Sequence, residues 1–300
     1  MCFKKCALAV FLLMLSAVPG WGAVSSLNAL ETALKSGTGV IEVSATITIN
    51  SDTTLDGGTS GRTLKFTGTK GSVFEITGGK VTLRNLTITG GKGYGGRMTD
   101  GGGMLIYGTP KVTAENCVFT ENTVSNCGGG IFAGGGTLTM RNCTFNENTA
   151  RFGGGINAGG SAAITLENCA FNGNTARGAS GGGIRLMGDE ATLYMYSCTF
   201  KENLVSGDAW CSGGGVVVDS CATANLVNCT FEGNTVNSEN ARGGGINIQS
   251  STANLVNCTF VGNTASGSGA SGHEIHVSTE STLNAANTIF WNPEGAIVTA

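Results

Sequence analysis

The stretch Gly153-Gly154-Gly155-Ile156-Asn157-Ala158-Gly159-Gly160-Ser161-Ala162-Ala163-Ile164-Thr165-Leu166-Glu167-Asn168-Cys169-Ala170-Phe171-Asn172-Gly173-Asn174 holds three blocks. A glycine triplet closes on an apolar residue, an Asn-Cys-x-Phe block follows, and an Asn stands three residues after the Phe. Ile164, Leu166 and Asn168 share one parity, whereas Cys169 and Phe171 share the other. Alternation of this kind marks a strand. The flip of phase at Asn168 marks a bend, and Asn tolerates the left-handed backbone that such a bend needs. The glycine triplet supplies a second corner, where φ is free and no side chain intrudes.

Read outward, the same unit recurs. The glycine tetrads occupy Gly101–Met104, Gly128–Ile131, Gly153–Ile156, Gly181–Ile184, Gly213–Val216 and Gly243–Ile246, a period of 25 to 32 residues. Six blocks follow in which Cys117, Cys143, Cys169, Cys198, Cys229 and Cys258 precede Phe119, Phe145, Phe171, Phe200, Phe231 and Phe260 by two positions. Asn122, Asn148, Asn174, Asn203, Asn234 and Asn263 complete them. The copies at Ala224–Phe231 and Ala253–Phe260 are identical, the mark of a duplication. One such unit cannot bury its own inward face, but a stack of them can. The expected fold is therefore all-β: a right-handed parallel β-helix of about nine coils spaced by about 4.8 Å, with three short strands per coil. Leu86 stands where Cys stands later, so the Cys position reads as inward and apolar.

The flanks of the repeat divide the chain. Lys4 and Lys5, the apolar run Ala7–Val18 and the small residues Gly20 and Gly22 read as a signal peptide over residues 1–22. The apolar run is shorter than the ~20 residues of a spanning helix, and no transmembrane candidate follows it. Residues 23–39 read as an N-terminal cap, with a short amphipathic helix over 25–35 started by Ser25 or Ser26 and presenting Leu27, Leu30 and Leu34. Residues 40–300 form the β-helix domain, with the motif repeats running from 101 to about 292. The expected localisation is exported, either at the cell surface or outer membrane or in the extracellular medium.

Composition limits the function classes. Charged residues make up 12% of the chain and the net charge is -3, with no basic run, which argues against a nucleic-acid partner. Six Asp stand at 52, 56, 100, 189, 208 and 219, none adjacent and none recurring at one coil position. Glycoside hydrolysis needs a carboxylate pair, so no catalytic residue is assigned. Asp189, Asp219 and Arg185 are a set that distant coils could bring together. The six repeat cysteines read as a core ladder with the six Phe. They form no Cys-x-x-Cys pair, and ligands on a line do not make a tetrahedron, so no metal and no cofactor is expected. Neighbouring rungs also exceed the usual Cβ separation of a disulfide, about 3.8 Å. Cys127, Cys211 and Cys221 lie outside the ladder.

Asn85, Asn116, Asn142, Asn168, Asn228 and Asn257 read as a structural corner, stacked as an amide ladder. Four of them match a glycosylation sequon, but the corner role accounts for all of them. His273 and His276, three apart on a strand, point to opposite faces and read as surface residues of an end coil. A flat threonine face of the ice-binding kind is a remoter option, since no strict Thr-x-Thr rank repeats.

The Gly-Gly-Gly-Ile and Phe-x-x-Asn motifs, as in Phe145-Asn146-Glu147-Asn148, resemble the passenger domain of chlamydial polymorphic outer-membrane proteins, over residues 101 to about 292. The first coils resemble the pectate-lyase-like β-helix proteins more generally. The first resemblance implies surface display and adhesion through autotransport. Those proteins carry a C-terminal membrane β-barrel, and no series of amphipathic ~10-residue strands follows the repeats here. The expected function is an exported, adhesin-like interaction protein without an evident catalytic site, its partners host or environmental glycans or surface proteins. The alternative is a carbohydrate-active enzyme or a polysaccharide-binding β-helix. Binding is expected on the variable segments 90–100, 177–180, 204–212 and 236–242.

Overall fold

The computed structural model describes residues 22–36, 39–94, 100–207, 209–292 and 298–299. The signal-peptide segment falls almost entirely outside the described residues, as do 95–99 of the first variable segment and Asp208. The chain winds into a parallel β-solenoid whose three main sheets hold ten, nine and ten strands, which is the expected all-β architecture and coil number. Every pairing between named strands is parallel and links one coil to the next.

One coil shows why the sequence folds this way. Ile156–Ala158 joins the first sheet, Ala163–Glu167 the second and Ala170–Asn172 the third. Ile164 and Leu166 point inward from the second sheet, and Phe171 from the third. Between the last two strands Asn168 adopts φ 52°, the left-handed bend expected from the phase flip. The same conformation recurs at Asn85, Asn116, Asn142, Asn228 and Asn257, and at Ser197 in the one repeat that lacks the Asn.

The glycine triplet meets two requirements. Gly153 takes φ 61°, which an L side chain resists. Gly155 has an ordinary φ, but a Cβ there would stand 2.6 Å from Gly183 O and 2.9 Å from Phe171 Cδ1. The triplet is thus a close-approach site as well as a bend.

The interior consists of ladders. Phe119, Phe145, Phe171, Phe200, Phe231, Phe260 and Phe290 stack face to face with ring centroids 4.6–5.1 Å apart. This separation matches the rise from coil to coil. Cys117, Cys143, Cys169, Cys198, Cys229 and Cys258 lie buried in the same core as free thiols. At the N-terminal end a helix, Leu27–Lys35, starts at Ser26, whose Oγ accepts from Ala29 N at 3.4 Å. Leu30 and Ala33 are its buried residues, while Leu27 and Leu34 are half-buried against the core.

A fourth sheet of seven strands lies on the flank of the solenoid. Its strands include Thr175–Ser180, Leu204–Ser206, Trp210–Ser212, Thr235–Asn237 and Asn240–Arg242, so three of the four variable segments are largely strand rather than loop. They pair in register with one another and close the backbone hydrogen bonds of neighbouring coils. Its small core of Ala176, Val205, Cys211, Val236, Ala241 and Ala265 is separate from the main one.

Candidate functional site

The flank sheet folds over the outward face of the first sheet. Register aligns Leu105, Phe132, Asn157, Arg185, Val217, Asn247 and His276 in one outward column of that sheet. Leu105 and Phe132 are buried there with Cys127 in a second small core. Burial pushes the Cys127 thiol up to about 11. Further along, the column carries the polar Asn157, Arg185, Asn247 and His276 with Val217 among them, and a groove of about 190 Å³ opens among Phe152, Trp210, Asp219, Asn240, Arg242 and Gln249.

Its charged groups are fixed by neighbours. Arg185 Nη2 lies 3.4 Å from Asp219 Oδ2, and the Arg185 guanidinium sits 4.7 Å above the Phe152 ring. Arg242 sits 4.7 Å above Trp210, whose residue surface is 62% exposed. Asn157 Oδ1, Asn247 Oδ1 and Arg185 Nε are buried in the seam beneath without a hydrogen-bond partner. Such groups are costly unless satisfied, so this seam has capacity for polar ligand atoms or water. The structure brings Arg185 and Asp219 together, as the sequence allowed, while Asp189 sits in the turn after that strand and outside the pair. Among the described residues no group of three His, Cys, Asp or Glu is placed to hold a metal ion, and no helix is long and apolar enough to cross a membrane.

The two asparagine sets divide their tasks differently from the sequence expectation. The corner set is half-buried or exposed and stacks loosely, with Nδ2 to Oδ1 distances of 3.2 Å for Asn116 to Asn85 and for Asn142 to Asn116, and 3.4 Å for Asn168 to Asn142. The Phe-x-x-Asn set is wholly buried. From Asn122 to Asn263 each Nδ2 donates to the Oδ1 of the next Asn at 2.7–3.0 Å. Each also donates to a backbone carbonyl two coils back from that next Asn, as Asn174 Nδ2 does to Phe145 O at 2.9 Å. The missed signal was regularity: Ser197 interrupts the corner set, and nothing interrupts the buried one.

That ladder ends on Glu274, which replaces the third glycine of the last triplet. Its carboxylate accepts from Asn263 Nδ2 and, at 3.3 Å, from Asn263 N. Burial raises its pKa against those hydrogen bonds. His276 Nδ1 lies 3.2 Å from Ser271 Oγ and 3.1 Å from Thr299 Oγ1, whereas His273 Nδ1 accepts from Ala265 N at 3.4 Å. The two rings thus meet different neighbours. On the second sheet Thr82, Thr113, Thr139 and Thr165 align in one column that continues as Tyr194 and Asn225, so the threonine rank breaks.

No curated protein matches the chain. The pattern described as the right handed beta helix region matches residues 73–290, which takes in every glycine triplet and every Asn-Cys-x-Phe block. The chain belongs to the right-handed β-helix family.

Proposed function

We propose that this chain is an exported interaction protein, displayed at the cell surface or released, with an adhesin-like role. The observation that carries the reading is Trp210, held out from a rigid flank sheet beside Arg242. Exposed Trp and Arg are the residue types that dominate binding hot spots, and a solenoid fixes them without an ordering cost at the moment of contact. The signal-like segment at residues 1–22 and the resemblance to polymorphic outer-membrane proteins support surface display.

The enzyme reading has Asp219 in its favour, because it lies in the groove beside a cation. Hydrolysis by paired carboxylates needs a second one facing the substrate, and Asp219 is the single carboxylate among the described residues lining the groove. Protease shaving of intact source cells tests the proposal. Loss of the protein from shaved cells supports surface display, whereas confinement to the periplasm or cytoplasm refutes it.

A further inference from the structure

The arginines of this chain are unevenly placed. Arg84 and Arg141 are neutralised by Glu115 and Glu167, each at 2.8 Å, on the second sheet. Arg151, Arg177, Arg185 and Arg242 all belong to the flank sheet or the column it covers. Among the described residues only Arg185 of these four forms an ion pair. Arg151 and Arg242 are instead held over Phe152 and Trp210. Arg151, Arg177 and Arg242 thus stand on this flank outside any ion pair among the described residues, in a sheet whose connecting segments also carry Glu239.

That flank has two recesses. The first is the Trp210 groove, rimmed by the amides of Asn240 and Gln249. The second, of about 340 Å³, is lined by Thr123, Ser125, Thr149, Arg151 and Arg177 and holds no carboxylate. Strand pairing places Arg151, Arg177, Trp210 and Arg242 on four successive coils, the first two beside the Ala150–Ala176 pairing and the last two beside the Ser212–Arg242 pairing, in two neighbouring columns of the sheet. Cations and the aromatic face therefore step along the axis by about 4.8 Å per coil while crossing from one column to the next.

We infer that this flank binds an acidic glycan along the solenoid axis, with one sugar ring on Trp210 and its neighbours' carboxylates or sulfate esters on Arg242, Arg177 and Arg151. The inference rests on the interaction-protein reading and names its partner. The first recess is smaller than the ~300–1,000 Å³ of a drug-sized pocket, so it suits one ring at a time. The C–H face of a pyranose packs on an indole, and its hydroxyls match the amide and hydroxyl groups at the rim. Arginine forks match carboxylate and sulfate oxygens. A purely electrostatic partner would have no use for Trp210, and a purely apolar one would have none for three unpaired arginines.

The test is biolayer interferometry of the whole secreted chain on immobilised polygalacturonate, dextran sulfate, neutral dextran and a DNA duplex. Binding to polygalacturonate alone assigns a carboxylate ligand, and binding to dextran sulfate alone assigns a sulfate ester. Either should exceed dextran by about tenfold or more and weaken with salt. Trp210→Ala and the double variant Arg151→Gln/Arg177→Gln should each weaken it about fivefold or more, while Lys65→Gln, on the third sheet, changes nothing. Circular dichroism melts check that the variants fold, and Trp210→Phe should restore part of the loss. The inference is overturned if neither acidic glycan binds, if Trp210→Ala leaves binding intact, or if DNA binds as well with the same response to all variants. Glycan binding by a protein that shaving fails to remove would sink surface display and leave this inference standing; shaving without glycan binding would do the reverse.

Discussion

Replacing Asn174 by alanine cuts the middle of the buried amide ladder. Asn174 Nδ2 donates to Phe145 O at 2.9 Å and to Asn203 Oδ1 at 3.0 Å, and its Oδ1 accepts from Asn148 N at 3.1 Å and Asn148 Nδ2 at 2.9 Å. The substitution strips Phe145 O, Asn148 N and one Asn148 Nδ2 hydrogen of these partners, in a region closed to water. Each buried group left unsatisfied costs ~1–3 kcal/mol, so the variant should lose roughly 3–5 kcal/mol once partial relaxation is allowed for. In a domain of this size that is a fall of roughly 6–20 °C in Tm, at about 2–4 °C per kcal/mol. The control is Asn142→Gly on the corner ladder. Glycine accepts the left-handed φ of 52° there, and the hydrogen bonds lost are 3.2 and 3.4 Å long and exposed. Its expected cost is ~1 kcal/mol or less. The assay is thermal and urea unfolding of the two variants side by side, followed by far-UV circular dichroism. A shift below ~2 °C for Asn174→Ala, or equal shifts for both variants, would refute the idea that the inner ladder carries the stability.

Three further outcomes are expected. Of the nine described cysteines only Cys221 is exposed, so a thiol reagent should modify Cys221 alone in the folded protein and the other eight after denaturation; mass spectrometry of labelled peptides reads this out. Gly155→Ala forces a Cβ against Gly183 O and Phe171 and should destabilise by about 1–3 kcal/mol in urea titration, whereas Gly39→Ala, with open space at its Cβ position, meets only the backbone penalty of its positive φ. The raised pKa of Glu274 means that the native state holds its proton more tightly than the unfolded chain. Its contribution to stability is therefore fully present below the ordinary glutamate value of 4.5 and is lost as pH rises through the native value. The protection factor of amides near Asn263, the observed exchange rate corrected for its intrinsic pH dependence, should rise on acidification across that window, and Glu274→Gln should flatten that rise.

The main coils were legible because each carries its own instructions in local form. Alternation gave the strands, the phase flip at Asn168 gave the bend, and Leu86 in place of Cys gave the inward direction of that position. The flank sheet was hidden for a physical reason. Segments such as Leu204–Ser206 and Trp210–Ser212 are three residues long, too short for a period, and they become strands only because neighbouring coils pair with them. Trp210 was legible as an aromatic residue but not as an exposed one. Glu274 was hidden because it occurs once, and its role is defined by the ladder it terminates.

The direction of the inter-coil pairing also sets how the rod responds to force. Each coil is tied to the next by parallel pairing in every sheet, so the coils form links in series. A pull on one terminus loads the outermost coil alone, and detachment proceeds as peeling, one coil at a time. Each step frees 25 to 32 residues of repeat, roughly 80–115 Å of extended chain. A tether attached on the flank, by contrast, spreads tension over several rungs at once, and the stack yields by small, separate extensions before the whole rod fails.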